Sequence, residues 1–341
     1  MMMIKNRSEL LFLYDIRDTN PNGDPFDENK PRIDEETGIN IVTDVRLKRT
    51  IRDYWKDFLN KEIFIREIAY KDDNIQDAKK RAEDFLLVDG EKIEKKELAS
   101  IAKDLGRSDS ETDLMVTMKE IIDENIKSCI DIRLFGVTLP ISYSKSKSSS
   151  ITYTGPVQFK MGRSLHKVNL EYIKGTGAFA ATEGATRKTF REEYFLSYSL
   201  ISFYGIINEN AARKQNLPVT EDDVEFLLDG IWNGTKNLIS RSKVGQNPRL
   251  LIRVEYAHEN YHIGELDHLI QLITDKNEED IRSIRDYQID ITKMKERFLL
   301  ERDKIQRIQI CVDPNLVFHC DDKVQPITEC LQNLPVETID L

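Results

Sequence analysis

Residues 193–207, EYFLSYSLISFYGII, alternate in polarity and are rich in Tyr and Phe. Aromatic side chains at a period of two fit a pleated, half-buried surface, so this stretch predicts a long strand rather than a helix. Three shorter runs share strand composition: 9–16 (ELLFLYDI), 129–139 (CIDIRLFGVTL) and 249–256 (RLLIRVEY). Two amphipathic helices are expected beside them. Thr43 is placed to cap one over 44–59, with Leu47, Ile51, Tyr54 and Phe58 on its apolar face. Thr220 is placed to cap another over 220–238 that buries Val224, Leu227, Leu228, Ile231 and Trp232.

In chain order these segments read β-α-β-β-α-β, the ferredoxin-like arrangement shared by RNA-recognition motifs. The expected class is α/β in the α+β sense. Residues 18–40 (DTNPNGDPFDENKPRIDEETGIN) read as one long loop, and a loop of that length in a compact domain is usually functional or disordered. Residues 60–128 read as a charged, mostly helical insertion without recognisable chemistry, and a charged helical C-terminal third ends in a polar tail.

Charge is distributed unevenly. The 341-residue chain carries a net −10, which argues at first against a nucleic-acid partner. Residues 141–191, however, hold nine Lys and Arg against two acids, while the segments on either side are acidic. A basic stretch inside an acidic protein is either a solvated loop or a phosphate-tracking arm. No apolar run approaches the roughly 18 residues of a membrane span. The start, MMMIKNRSEL, lacks the features of a signal peptide. Cys129, Cys311, Cys320 and Cys330 form no CxxC pair, so no disulfide framework or zinc ribbon is suggested. A cytoplasmic protein without membrane contact is expected.

Several enzyme-like motifs weaken on inspection. His258-Glu259-Asn260-Tyr261-His262 is an HExxH, with His268 beyond it. A zinc peptidase needs both histidines on one helical face, but this motif begins where a strand ends and contains turn-forming residues. Asp18-Thr19-Asn20-Pro21-Asn22-Gly23 fits the first half of an EF-hand loop, yet its twelfth position is Asn29 and no helix precedes it. Gly175-Thr176-Gly177-Ala178-Phe179-Ala180 matches a dinucleotide fingerprint loosely, without the helix and acid that should follow. His319 and Cys320, with Cys311 and Cys330, are better read as core and surface chemistry than as metal ligands. No catalytic residue, metal site or cofactor is expected.

What remains is basic. Arg46, Lys48, Arg49 and Arg52 crowd a helix N-terminus, whose dipole favours phosphate. The plain alternative is a solvated face supported by Asp44–Lys48 and Arg49–Asp53 pairs. Arg163, Lys167, Arg187, Lys188 and Arg191 make a second cluster, and Arg241, Lys243 and Arg249 a third. Cations for phosphates, with aromatic and glycine-rich segments where bases approach, are what an RNA reader needs.

The stretch DIRDTNPNGDP, PRIDEETG and TDVRLKRTIRDYW strongly resembles the backbone subunit of CRISPR Cascade complexes, the Cas-seven family, in its type I-B, Csh-two-like branch. DIRLFG, TGPVQF, MGRSLH, GATRKTFREEY, FYGIINENAA, WNGTKNLISRSKVGQNPRLLIRVEY and YHIGELD continue the match over roughly residues 8–270.

The resemblance implies a modified RNA-recognition-motif palm with a helical fingers insertion and an extended thumb hairpin. The corresponding segments are 1–59, 129–158 and 191–341 for the palm, 60–128 for the fingers and 159–190 for the thumb. It implies a non-catalytic scaffold whose copies stack head-to-tail along one CRISPR guide RNA and meet target DNA through that guide. A foot subunit, a large subunit and a guide-processing endonuclease are the further partners implied. The implied RNA contacts include Lys48 and Arg49 with Arg46 and Arg52 beside them, the Phe135-Gly136-Val137 turn, and Ser242 and Lys243. Asn20 and Asn22 of the first loop, Arg163, Lys167, Phe179, Arg187 and Lys188 of the thumb, and Arg241 and Arg249 complete the candidate set. The rival readings are a metal-dependent ribonuclease using Asp18, Asp24, Asp27 or Asp34, as in type III relatives, and the zinc peptidase at 258–262.

Overall fold

The computed structural model describes residues 2–68, 75–176 and 190–341. The chain divides into two compact units: Met1–Lys5, Trp55–Val157 and Asn208–Phe226, here the helical unit, and Asn6–Tyr54, Gln158–Ile207 and Leu227–Leu341, the sheet unit. The main strands are β1 (Ser8–Thr19), β2 (Ile39–Val42), β3 (Gly162–Lys167), β4 (Leu170–Thr176), β5 (Phe190–Ile207), β6 (Asn247–Tyr256), β7 (Ile305–Val312) and β8 (Val336–Thr338). The main helices are α1 (Asp44–Asp57), α2 (Glu111–Ile126), α3 (Ile130–Phe135) and α4 (Glu221–Lys236).

In the sheet unit the strand order is β8-β7-β6-β1-β5-β3-β2, followed by the short strand Ile33–Asp34, and β4 pairs with the first part of β5. Neighbours from β7 to β2 run antiparallel, while β8 lies parallel to β7. Phe12 of β1 stands between Phe203 of β5 and Leu251 of β6. Leu11 and Leu13 join one buried cluster with Leu200, Ile252, Ile308 and Phe298. Leu10, Phe12, Tyr14 and Ile16 project from the opposite face and are equally buried. A strand covered on both faces reads as a continuous apolar run, which is why 9–16 does not alternate. Each fully buried Leu or Phe contributes about 1.5–3 kcal/mol.

Both expected helices form. α4 buries all five predicted residues, and Thr220 caps it: Asp223 N–H donates to Thr220 Oγ1 at 3.2 Å and Thr220 N–H to Asp223 Oδ2 at 3.1 Å. On α1 the buried stripe runs Leu47, Ile51 and Trp55, while Phe58 is 56% exposed. The expected Tyr54 and Phe58 face is displaced by one position because the larger indole takes the interior. In the helical unit its Nε1 donates to Phe226 C=O at 2.7 Å and its ring stacks on Phe135 at 5.6 Å.

Residues 129–139 correct the expectation of a sheet strand. They form α3 and the start of a hairpin, Gly136–Ser142 with Ser148–Thr154, in the helical unit. The place beside β5 belongs to β3 instead. A short apolar run is ambiguous between buried strand and buried helix, and here a buried carboxylate decides. Asp131 accepts from the N–H groups of Phe64 and Ile65 at 2.9 and 3.0 Å, anchoring α3 in a core of Phe64, Leu86, Leu98, Met118, Ile122 and Ile132. Gly136, at φ +77°, ends the helix.

Residues 60–128 are less uniformly helical than expected, with a short hairpin, Leu87–Val88 with Glu91–Lys92, among the helices. Cys320 and Cys330 are joined as a disulfide with Cα atoms 6.4 Å apart, a pairing that spacing alone did not reveal. Cys129 and Cys311 are free and buried. Among the described residues no helix is long and apolar enough to cross a membrane.

Candidate nucleic-acid interface

The first loop is a braced structure. Asn20 is buried; its N–H donates to Ser242 C=O at 2.9 Å and its Nδ2 to Asn29 C=O at 2.6 Å. Asn22 Oδ1 accepts from both Thr43 N–H at 2.8 Å and Thr43 Oγ1 at 2.9 Å. Thr43 Oγ1 accepts in turn from Arg46 N–H at 3.3 Å, capping α1 as its sequence predicts. Arg32 Nη1 donates to Gly23 C=O at 2.6 Å and lies beside Asp24. Gly23 is required by close approach: a Cβ there would meet Asn29 Oδ1 at 2.1 Å.

Around this brace the candidate cations of the sheet unit separate into two classes. Lys48 points inward, donating to Gln158 Oε1 at 2.8 Å and Asp44 Oδ2 at 3.1 Å, and is 8% exposed. Arg249 is committed to Asp15 through two nitrogens, at 2.8 and 3.0 Å, and to Asp313. In the chain without RNA, both charges are thus already paired inside the fold.

Arg46 and Lys243 behave differently. Arg46 is half-buried and donates from Nη2 to Thr50 Oγ1 at 3.0 Å, and its Nε has no partner. Lys243 donates to Ser242 Oγ at 3.3 Å. Among the described residues neither lies within 4.0 Å of a carboxylate oxygen, and the same holds for exposed Arg241. Burial lowers the pKa of Lys243 below the usual lysine range, and the nearby charge of Arg46 pushes it the same way. Burial likewise lowers Arg46.

Arg49 is exposed and pairs loosely with Asp53 at 3.6 Å; Arg52 is half-buried on the same helix. Arg163 and Lys167 are exposed on β3, with Arg163 Nη1 3.4 Å from Asp34. Phe135 and Gly136 are interior residues of the helical unit, and Val137 packs on its core. Phe179, Arg187 and Lys188 lie outside the described residues. Next to the brace, a pocket of about 220 Å³ is lined by Asn20, Asn29, Tyr194, Arg241, Ser242 and three carboxylates, Glu28, Glu192 and Glu193. Its acids disfavour a phosphate inside it. Sequence reading missed Asn29 and Gln158, since no local pattern marks either.

The sheet unit carries buried aromatics and a partly exposed pair, Tyr172 on β4 with Tyr194 on β5, centroids 4.9 Å apart. Phe12, Tyr14 and Phe203 form an aromatic row with centroids 5.5 and 6.3 Å apart, and all three are buried. The first-loop aspartates are individually engaged: Asp18 with Arg17, Asp24 with Arg32, Asp27 with Lys30 and Asp34 with Arg163. Residues 258–262 follow β6 as a turn and loop, with Asn260 at φ +62°, so their two histidines share no helical face. Among the described residues, no group of three His, Cys, Asp or Glu side chains is placed to hold a metal.

Comparison with known proteins fits this geometry. A protein from Haloferax volcanii described as CRISPR-associated protein Cas7 is 34% identical over 337 residues, covering 94% of this chain and 91% of that one. A solved chain from "CRISPR RNA-guided surveillance complex, pre-nicking" shares the fold with a TM-score of 0.50 at 11% identity, over 93% of this chain and 96% of that one. The family model for CRISPR-associated protein Cas7 matches residues 6–292. With most of its length matched by that model and by the haloarchaeal relative, the chain belongs to the Cas7 family.

Proposed function

We propose that this chain is a non-catalytic guide-RNA-binding backbone subunit of a type I-B Cascade complex, whose copies stack along the guide and present it to target DNA. One observation carries the reading. Among the described residues, Arg46 and Lys243 are partly desolvated beside a helix N-terminus and neither makes an ion pair within 4.0 Å, although the charge of Asp53 reaches Arg46 from farther off. Such a site is arranged for an anion, and a phosphodiester supplies one. Arg49, Arg52, Arg163, Lys167 and Arg241 extend the positive surface, and the thumb residues Phe179, Arg187 and Lys188 are assigned with them by resemblance.

The order β6-β1-β5-β3, with α1 between β1 and β3 in sequence and α4 between β5 and β6, supports a palm of RNA-recognition-motif type. Burial of Phe12, Tyr14 and Phe203 disfavours base stacking on the central strands, and leaves the partly exposed Tyr172–Tyr194 pair as an aromatic surface open to a base. Residues 60–128 are proposed as fingers; of the thumb expected at 159–190, β3 stands in the palm sheet, so the thumb is proposed over 168–190. The foot subunit, large subunit and guide-processing endonuclease remain the proposed partners.

The test is binding of single-stranded RNA by wild type and by Arg46→Ala/Lys243→Ala over a salt series. The double variant is expected to flatten the slope of log K against log salt by about 1.4, at roughly 0.7 per lost phosphate contact. An unchanged slope in a folded variant would remove this site from the interface. Metal-dependent cleavage of the bound RNA, lost on changing a first-loop aspartate, would favour the ribonuclease reading instead.

A further inference from the structure

Arg46 and Lys243, neither in an ion pair within 4.0 Å among the described residues, stand on two separate segments, the first turn of α1 and the loop at 240–246. Their like charges push those segments apart. The neutral contacts opposing that repulsion come from the first loop. Asn20 ties its backbone to Ser242, the residue before Lys243, and its side chain to Asn29. Two residues on, Asn22 spends its side-chain oxygen on both donors of Thr43, which itself caps the turn bearing Arg46. Pro21 between them restricts the backbone linking the two ties.

We propose that Asn22, with Asn20, is a positioning residue for the RNA groove, holding the Arg46 turn and the Lys243 loop in place without touching the ligand. The inference rests on the RNA-binding reading. Both lone pairs of Asn22 Oδ1 are occupied by Thr43, so this oxygen works as a structural acceptor. A site assembled in advance avoids the cost of ordering two loops when the ligand arrives.

Positioning and direct contact make opposite demands on one substitution. Asn22→Asp keeps an acceptor for both Thr43 donors, but removes the amide N–H₂ and adds a negative charge. A residue that touched phosphate through its amide would be damaged more by Asp than by Ala. A positioning residue would be damaged more by Ala.

The full-length protein is titrated with single-stranded oligouridylate at several salt concentrations, and exchange of the Thr43 amide is followed in the free protein. Asn22→Ala is expected to weaken binding about five- to tenfold, flatten the salt slope and accelerate Thr43 exchange. Asn22→Asp should retain slow exchange and recover most of the slope. Thr43→Val, which keeps side-chain volume but loses the hydroxyl, provides a second route to the same loss if Asn22→Ala folds poorly. Tighter binding by the Ala variant than by the Asp variant, with Thr43 protected in both, overturns the positioning role and leaves RNA binding standing. A wild-type protein without salt-dependent RNA affinity overturns both.

Discussion

Arg249 grips Asp15 across the sheet: Nε donates to Oδ2 at 2.8 Å and Nη2 to Oδ1 at 3.0 Å. Tyr198 donates its hydroxyl to the same carboxylate at 2.6 Å and Asn247 its side-chain amide at 3.0 Å. Asp15 is 2% exposed, so removing the guanidinium leaves a carboxylate buried without its countercharge. Arg249→Ala is expected to cost about 3–5 kcal/mol of stability. Arg249→Lys should recover only part, because an ammonium cannot make the forked contact. Denaturant midpoints check this, and an Ala variant as stable as wild type with weakened RNA binding would return Arg249 to the interface.

Lys48 and Arg49 are adjacent in sequence but should separate in experiment. Lys48→Ala loses the bonds to Gln158 and Asp44, with an expected cost of about 1–2 kcal/mol and little change in the salt slope. Arg49→Ala breaks an exposed ion pair with Asp53, worth about 0–1 kcal/mol, and should flatten the slope by about 0.7. The reverse assignment of the two effects would mean that Lys48 swings out on binding RNA.

His166 gives a pH-dependent contribution to stability. Its Nε2 accepts from Leu200 N–H at 3.2 Å, and its Nδ1 lies 2.7 Å from Lys167 C=O, so the neutral ring with its proton on Nδ1 fits both partners. Burial lowers its pKa below the usual histidine value, against opposing contributions from the Lys167 and Glu278 carbonyls and the Glu278 charge. The unfolded chain therefore takes up this proton first. The contribution is fully present above about pH 6.5 and is lost as pH falls from there toward the lower folded-state pKa. Urea midpoints should drop between about pH 7.5 and pH 5.5, a window above most carboxylate titration. His166→Gln should shrink that drop, and an identical drop in the variant would assign it elsewhere.

Gly136 and Gly155 let two backbone segments cross. A Cβ on Gly136 would meet Tyr153 C=O at 2.2 Å, and one on Gly155 would meet Leu134 C=O at 2.3 Å. Gly136 also has φ +77°, which adds strain for any other residue. Gly136→Ala is expected to cost at least about 2 kcal/mol, read by thermal unfolding, whereas Val137→Ala should cost less than Gly136→Ala. A Gly136→Ala variant of wild-type stability that loses RNA would show that this turn meets the ligand directly.

The sequence by itself determined α1, α4, β1, β5 and β6 from local pattern, whereas the C-terminal third, read as helical, instead supplies β7 to the main sheet. Thr43 and Thr220 announced their helix starts, and 193–207 announced its strand, since capping and alternation depend only on near neighbours. The basic character of the first turn of α1 was legible for the same reason. Tertiary structure decided everything that depends on which distant group faces a side chain. It made 130–135 a helix through the carboxylate of Asp131, and it turned Lys48 and Arg249 inward toward Gln158 and Asp15. It left Arg46 and Lys243 without an ion pair among the described residues and tied Asn20 and Asn22 to segments far along the chain. Charge is a property of a residue, but whether that charge is satisfied is a property of its surroundings, and only the fold assembles those.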